Sequence, residues 1–132
     1  CRRQRQMCIR DRVRSIEDPA LVDYLGQHQI PLEVCPTSNL CLGIYPSYQT
    51  HPIRLLMEKG LYITVNSDDP PMFNTDLNHE YKALVDNLSF SQSELEKLSL
   101  NALNASYLPA DRKEKMASDF ESEFARLQER RF

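Results

Sequence analysis

No stretch of this sequence stays apolar for the roughly 18 residues that a bilayer-spanning helix needs, so the 132-residue chain is expected to have no membrane partner. Positive charge is not in excess either. Sixteen Lys and Arg stand against 19 Asp and Glu, a net charge of −3, which gives no general attraction to nucleic acid or an anionic surface. The Arg-rich start is followed by no apolar core, so it is not expected to be a secretory signal. The four cysteines Cys1, Cys8, Cys35 and Cys41 show no CxxC spacing and no regular framework. They read as reduced thiols of a cytoplasmic protein, with Cys35 buried on a strand, and a Cys35–Cys41 disulfide is the lesser alternative. The histidines His28, His51 and His79 lack H-x-H or i, i+4 spacing, which argues against a zinc site among them.

What is present is a soluble-type composition, 41% hydrophobic and 27% charged, at a length that suits one domain. The first twelve residues break from it. "CRRQRQMCIRDR" holds five arginines and one aspartate, and the remainder is acidic. Residues 1–12 are therefore expected to be a basic segment foreign to the domain, or an artefactual end, with a basic arm for a partner as the alternative.

From Val13 onward helical and strand signals alternate. In "EDPALVDYLGQHQ" Asp18 is a candidate N-cap with Pro19 at the first helical position. Leu21, Tyr24 and Leu25 then share a helical face, and His28 falls in the loop beyond. "PLEVC" predicts a short strand over residues 32–35, closed by Pro36. A loop is expected through "PTSNLCLGIYPSYQT", then a helix in "HPIRLLMEKG" with Pro52 near its start and Gly60 past its end. "LYITV", residues 61–65, is β-branched and aromatic, as strands are. The two strands begin about thirty residues apart around a helix, the spacing of a parallel βαβ crossover.

Three helices are expected after that. Tyr81, Leu84, Val85 and Leu88 form one stripe. Ser91 and Glu94 make a capping box, with Phe90 placed to staple onto Leu95. Met116, Phe120, Phe124 and Leu127 line one face of a charged last helix. These stripes read as packing surfaces. Two parallel strands alone do not make a core, because such strands are normally covered within a larger sheet or barrel. The chain reads as the end of a longer α/β protein.

The second strand stops in "NSDDPP". In α/β sheets and barrels reactive groups sit at the carboxyl ends of strands, and Asp68 and Asp69 occupy that place. Adjacent side chains point different ways there, so the two acids need not share a role. Pro70 biases Asp69 toward an extended backbone, and Pro71 stops the strand. One carboxylate can take a metal while its neighbour accepts a hydrogen bond from a substrate N–H; the alternative is a plain Asp-Asp-Pro turn. Ser38 and Asn39 sit at the rim after the first strand, equally suited to orienting the aspartates or to stabilising a turn. Ser67 adjoins Asp68, and His51 reads as a capping or packing residue.

Taken in order, "VRSIEDPALVDYL", "LEVCPTSNLCLGIYPS", "HPIRLLMEKGLYITVNSDDPPMF" and "TDLNHEY" closely resemble the carboxyl-terminal part of the adenosine deaminase family, over residues 13 to about 130. The Cys-Pro-Thr-Ser-Asn strand end and the Ser-Asp-Asp-Pro turn are specific in combination. The resemblance implies a metal-dependent (β/α)8 TIM barrel, with residues 32–35 and 61–65 as its last two strands, and residues 13–132 as the end of that barrel domain. It implies that Asp68 is a catalytic group and the carboxylate ligand of a zinc ion, one per full-length subunit, and touches the attacking water. It implies that Asp69 binds the substrate by accepting a hydrogen bond from the purine ring. The reaction implied is hydrolytic deamination of a small aminopurine, with zinc-activated water attacking C6 and ammonia leaving. Adenosine is the first expected substrate, with adenine and aminodeoxyfutalosine behind it.

The other deaminase design, marked by H-x-E and P-C-x-x-C, is absent. The family's H-x-H pair, its further histidine and its glutamate fall in segments not found here. Its Ile-Gly-His-Gly-Val strand end should finish at Val13, but Asp11 takes the histidine's slot between Arg10 and Arg12. No catalytic histidine is carried over. One carboxylate does not make a catalytic zinc site of three or more protein ligands, so this stretch alone is expected to be inactive, and its open strand edges prone to aggregation. A non-catalytic barrel fragment or interaction module is the competing expectation.

Overall fold

The computed structural model describes residues 13–129; the basic opening, with the Asp11 register, lies outside them. A 3-10 turn, Val13–Glu17, leads into helix α1, Pro19–His28. Asp18 caps α1 as expected, its Oδ1 accepting from the N–H groups of Ala20 at 3.0 Å and Leu21 at 3.2 Å. Helix α1 buries Val22 and Leu25. Tyr24 is not on the buried face: it is exposed and stacks on His28 at 4.0 Å between ring centroids. His28 therefore closes the helix rather than entering a loop, and the chain turns at Gln29, whose φ is +48°.

Strands β1 (Leu32–Val34) and β2 (Ile63–Val65) pair in parallel, with Leu32 opposite Ile63, Glu33 opposite Thr64 and Val34 opposite Val65. Alternation puts the four aliphatic residues on one face, and all four are buried. Both strands are shorter than the sequence suggests. Cys35 is already the cap position of helix α2, Pro36–Cys41, with the Asn39 N–H donating to its carbonyl at 2.9 Å. Leu61 cannot join β2's ladder at its N–H, which closes helix α3 (Ile53–Glu58) by donating to Leu56. Gly60, at φ +75°, makes that closure without a Cβ clash.

The segment expected as one loop thus contains α2 and a 3-10 turn, Tyr48–Thr50. Pro36 both ends the strand and starts a helix, because its fixed φ suits the first helical position. Likewise four helices, not three, follow β2: α4 (Pro70–Phe73), α5 (Leu77–Leu88), α6 (Gln92–Ala105) and α7 (Ala110–Glu129). The Ser91–Glu94 capping box forms on α6. Phe90 and Leu95 both join the core, whose centre is Leu25, Leu32, Val34, Ile53, Leu56, Ile63, Leu84 and Leu98. Helix α6 is docked on β2 by two polar bonds: Asn101 Nδ2 donates to the Ile63 carbonyl at 2.8 Å, and the Tyr62 hydroxyl donates to the Asn101 carbonyl at 3.0 Å. Helix α7 departs from expectation. None of its residues is buried, and Met116 and Leu127 are exposed, although Phe120 and Phe124 meet at 6.1 Å. No helix among the described residues is long and apolar enough to cross a membrane.

Candidate active site

The site begins where β2 stops. Asn66 makes a last ladder bond, its N–H donating to the Val34 carbonyl at 2.9 Å. Two residues later Asp68 takes the left-handed backbone conformation, φ +58°, one that aspartate tolerates better than most residues. That kink separates the two acids. Asp69 returns to an extended backbone, φ −108°, and its Oδ1 accepts from the Met72 N–H at 3.1 Å, capping α4. Asp68 instead accepts from the hydroxyl of Ser38 at its Oδ2, 2.8 Å away. The adjacent acids thus have different partners.

Ser38 is buried, unlike the acid it touches. It belongs to a run of three α2 residues, each bound to a distant partner. Before it, Thr37 gives its N–H to Glu80 Oε2 at 3.1 Å and shares a 2.7 Å bond between its hydroxyl and that of Tyr48. After it, Asn39, fully buried, meets His51 Nε2 through its Oδ1 at 2.9 Å. The other ring nitrogen of His51, Nδ1, accepts from the Ile53 N–H at 3.2 Å, so the proton sits on Nε2 and is donated to Asn39. Burial pushes the imidazole down to about 4. His51 is accordingly both a cap for α3 and a packed core group.

The sequence pattern alone does not single out Glu80, although it carries the longest-range bond at the rim. Its side chain is fully buried, Oε2 on Thr37 N–H and Oε1 on the Thr75 hydroxyl at 2.8 Å. A signal for it existed: Glu80 stands four residues before Leu84, on the apolar stripe of α5, where an acid is out of place unless it is bonded.

A cleft of about 440 Å³ opens beside Asp68, lined among others by Glu33, Cys35, Asn66, Ser67 and Tyr81. Burial raises the Tyr81 hydroxyl above its ordinary range, and the bond from Ser99 pulls against that, so the phenol that faces the cleft is neutral. Asp69 is outside the lining. Cys35 is buried and Cys41 exposed, and no disulfide joins them. The described residues contain no group of three His, Cys, Asp or Glu side chains placed to hold a metal ion; Asp68 offers one oxygen donor. His28 and His79 are far from any such role, the first bonded to the Tyr24 carbonyl and the second within α5.

The model of the adenosine deaminase family matches residues 8–123. The chain belongs to this family. Aminodeoxyfutalosine deaminase of Streptomyces avermitilis is 41% identical over 108 residues, 82% of this chain and 30% of that protein. Adenine deaminase of Rhizobium meliloti is 41% identical over 104 residues, 79% of this chain and 32% of its own length. The crystal structure of adenine deaminase from Arthrobacter aurescens superposes with a TM-score of 0.81 at 33% identity, covering 83% of this chain and 34% of that one. The α/β fold is that of part of an adenosine deaminase barrel, as the strand spacing and the paired motifs imply. The chain spans about a third of the length of these relatives.

Proposed function

We propose that this chain is the carboxyl-terminal portion of a zinc-dependent hydrolase that deaminates a small aminopurine, with residues 13–132 forming the end of its barrel domain. The observation that carries the reading is Asp68: an acid in a left-handed kink at a strand's carboxyl end, lining a cleft, with one oxygen fixed by a buried serine. Asp68 Oδ1 makes no hydrogen bond among the described residues, which suits it to hold the metal. When bound, zinc supplies the acidity that activates water at neutral pH. Asp69, with Oδ1 committed to α4, accepts from the purine through Oδ2. Among substrates, adenosine, adenine and aminodeoxyfutalosine are to be compared, the last two being activities named for the relatives above.

Catalytic zinc is held by about three protein ligands and the described residues contribute one, so the isolated chain is inactive and the other ligands belong to the parent protein. The test is to assay the full-length parent on the three aminopurines with and without zinc. Asp68→Ala abolishes both zinc retention and turnover, whereas Asp69→Asn keeps zinc and raises KM. A D68A protein that holds zinc and turns over like the parent ends this reading. Turnover by the 132-residue chain alone ends its incomplete-site part.

A further inference from the structure

The buried carboxylate of Glu80 joins the two strand ends at the rim. One oxygen takes the N–H of Thr37, the residue directly before Ser38, and the other takes the hydroxyl of Thr75. Thr75 in turn donates its own N–H to the Pro70 carbonyl at 3.2 Å, within two residues of Asp68. The carboxylate therefore spans from the chain that carries Ser38 to the chain that carries Asp68. These are the partners of the 2.8 Å hydroxyl–carboxylate bond. A bracket across such a short gap fixes the distance between its ends.

We propose that Glu80 is a positioning residue for Asp68, setting the separation between α2 and the β2 rim so that Ser38 holds one carboxylate oxygen and leaves the other for the metal. The proposal rests on the reading of Asp68 as a zinc ligand. Glu80 touches neither metal nor substrate. Its work is geometric, as with the outer partners that orient ligating side chains and whose loss typically weakens metal affinity or activity about 10–100-fold. Chemistry also predicts which substitutions restore it. Glutamine can still accept from Thr37 N–H through its amide oxygen and donate to the Thr75 hydroxyl through its NH₂, so the bracket survives without the charge. Leucine has comparable volume and no polar atom, which leaves both arms broken.

The experiment uses the full-length parent protein with E80L, E80Q, S38A, the double variant E80L/S38A, and D68N as the reference. Zinc affinity is measured by chelator competition beside kcat, KM and thermal unfolding. E80L is expected to weaken zinc retention and lower kcat by roughly tenfold or more with KM nearly unchanged, and E80Q to restore most of both. Because Glu80 and Ser38 act through one bond, the double variant is expected to lose little more than the worse single variant. Parent-like zinc affinity and kcat in E80L overturn the proposal, as does a double variant that loses the full product of the two single effects. If E80L does not fold, Thr75→Val breaks one arm alone, and unchanged zinc affinity in that variant overturns it equally. D68N separates the levels: if it binds zinc as the parent does, the ligand reading of Asp68 fails, and if it loses zinc while E80L keeps it, only the role of Glu80 fails.

Discussion

The two strands end alike in sequence and differently in structure. Each runs into an X-Pro pair that starts a short helix, Cys35-Pro36 into α2 and Asp69-Pro70 into α4. The side chain of the α2 cap residue does not cap the helix, and Thr37, Ser38 and Asn39 are held by groups 43, 30 and 12 residues away. The cap residue of α4 uses its own carboxylate, three residues back, and stays exposed. One end is therefore held by the fold as a whole and the other by local turn chemistry. The first is buried scaffold. The second presents two acids to solvent on a kinked backbone, where a ligand can reach them.

If that contrast is right, damage at the β1 end costs more than damage at the β2 end. The largest expected effect belongs to His51. Its folded value of about 4 lies below the ordinary 6.5, so the unfolded chain takes the proton first as pH falls. The stabilisation from this group is complete above pH 6.5 and is lost as pH drops toward 4, about 3 kcal/mol across that window. Thermal unfolding of the full-length parent from pH 7 to pH 4 should show this slope, and His51→Gln should flatten it. Equal slopes in both proteins would remove the titrating group from the β1 end.

Next comes Asn39→Ala, which strands the buried Nε2–H of His51 without its acceptor and costs about 1–3 kcal/mol in denaturant unfolding. Asp69→Ala, by contrast, removes an exposed cap from a four-residue helix and costs about 1 kcal/mol. Should D69A prove the more destabilising of the two, the division between a globally held end and a locally held end is broken.

The local end was also the legible one. Asp18 with Pro19 and Ser91 with Glu94 announce themselves within three or four residues, and their bonds form as the spacing predicts. The parallel pairing of β1 and β2 followed from the crossover length. What escaped was long-range. Nothing near Thr37 says that its N–H meets Glu80, and the pattern around Pro36 marks the end of a strand without marking the start of a helix. Helix α7 failed for a related reason: Met116, Phe120, Phe124 and Leu127 state which face is apolar, and say nothing of what lies against it. Of the site, the two acids and Ser38 were visible as residue types at a strand end, whereas the separation of the acids into a serine-bound one and a capping one needed the backbone kink.

That kink has an evolutionary side. A non-glycine residue in the left-handed region costs roughly 1–2 kcal/mol, so at position 68 the backbone would be more comfortable with glycine. Drift toward stability and selection for a carboxylate therefore pull this codon in opposite directions. A lineage freed from the need to hold metal would be expected to shed the acid early and gain a slightly sturdier fold in doing so. Glycine at this position in an otherwise intact relative would then mark lost chemistry rather than lost structure.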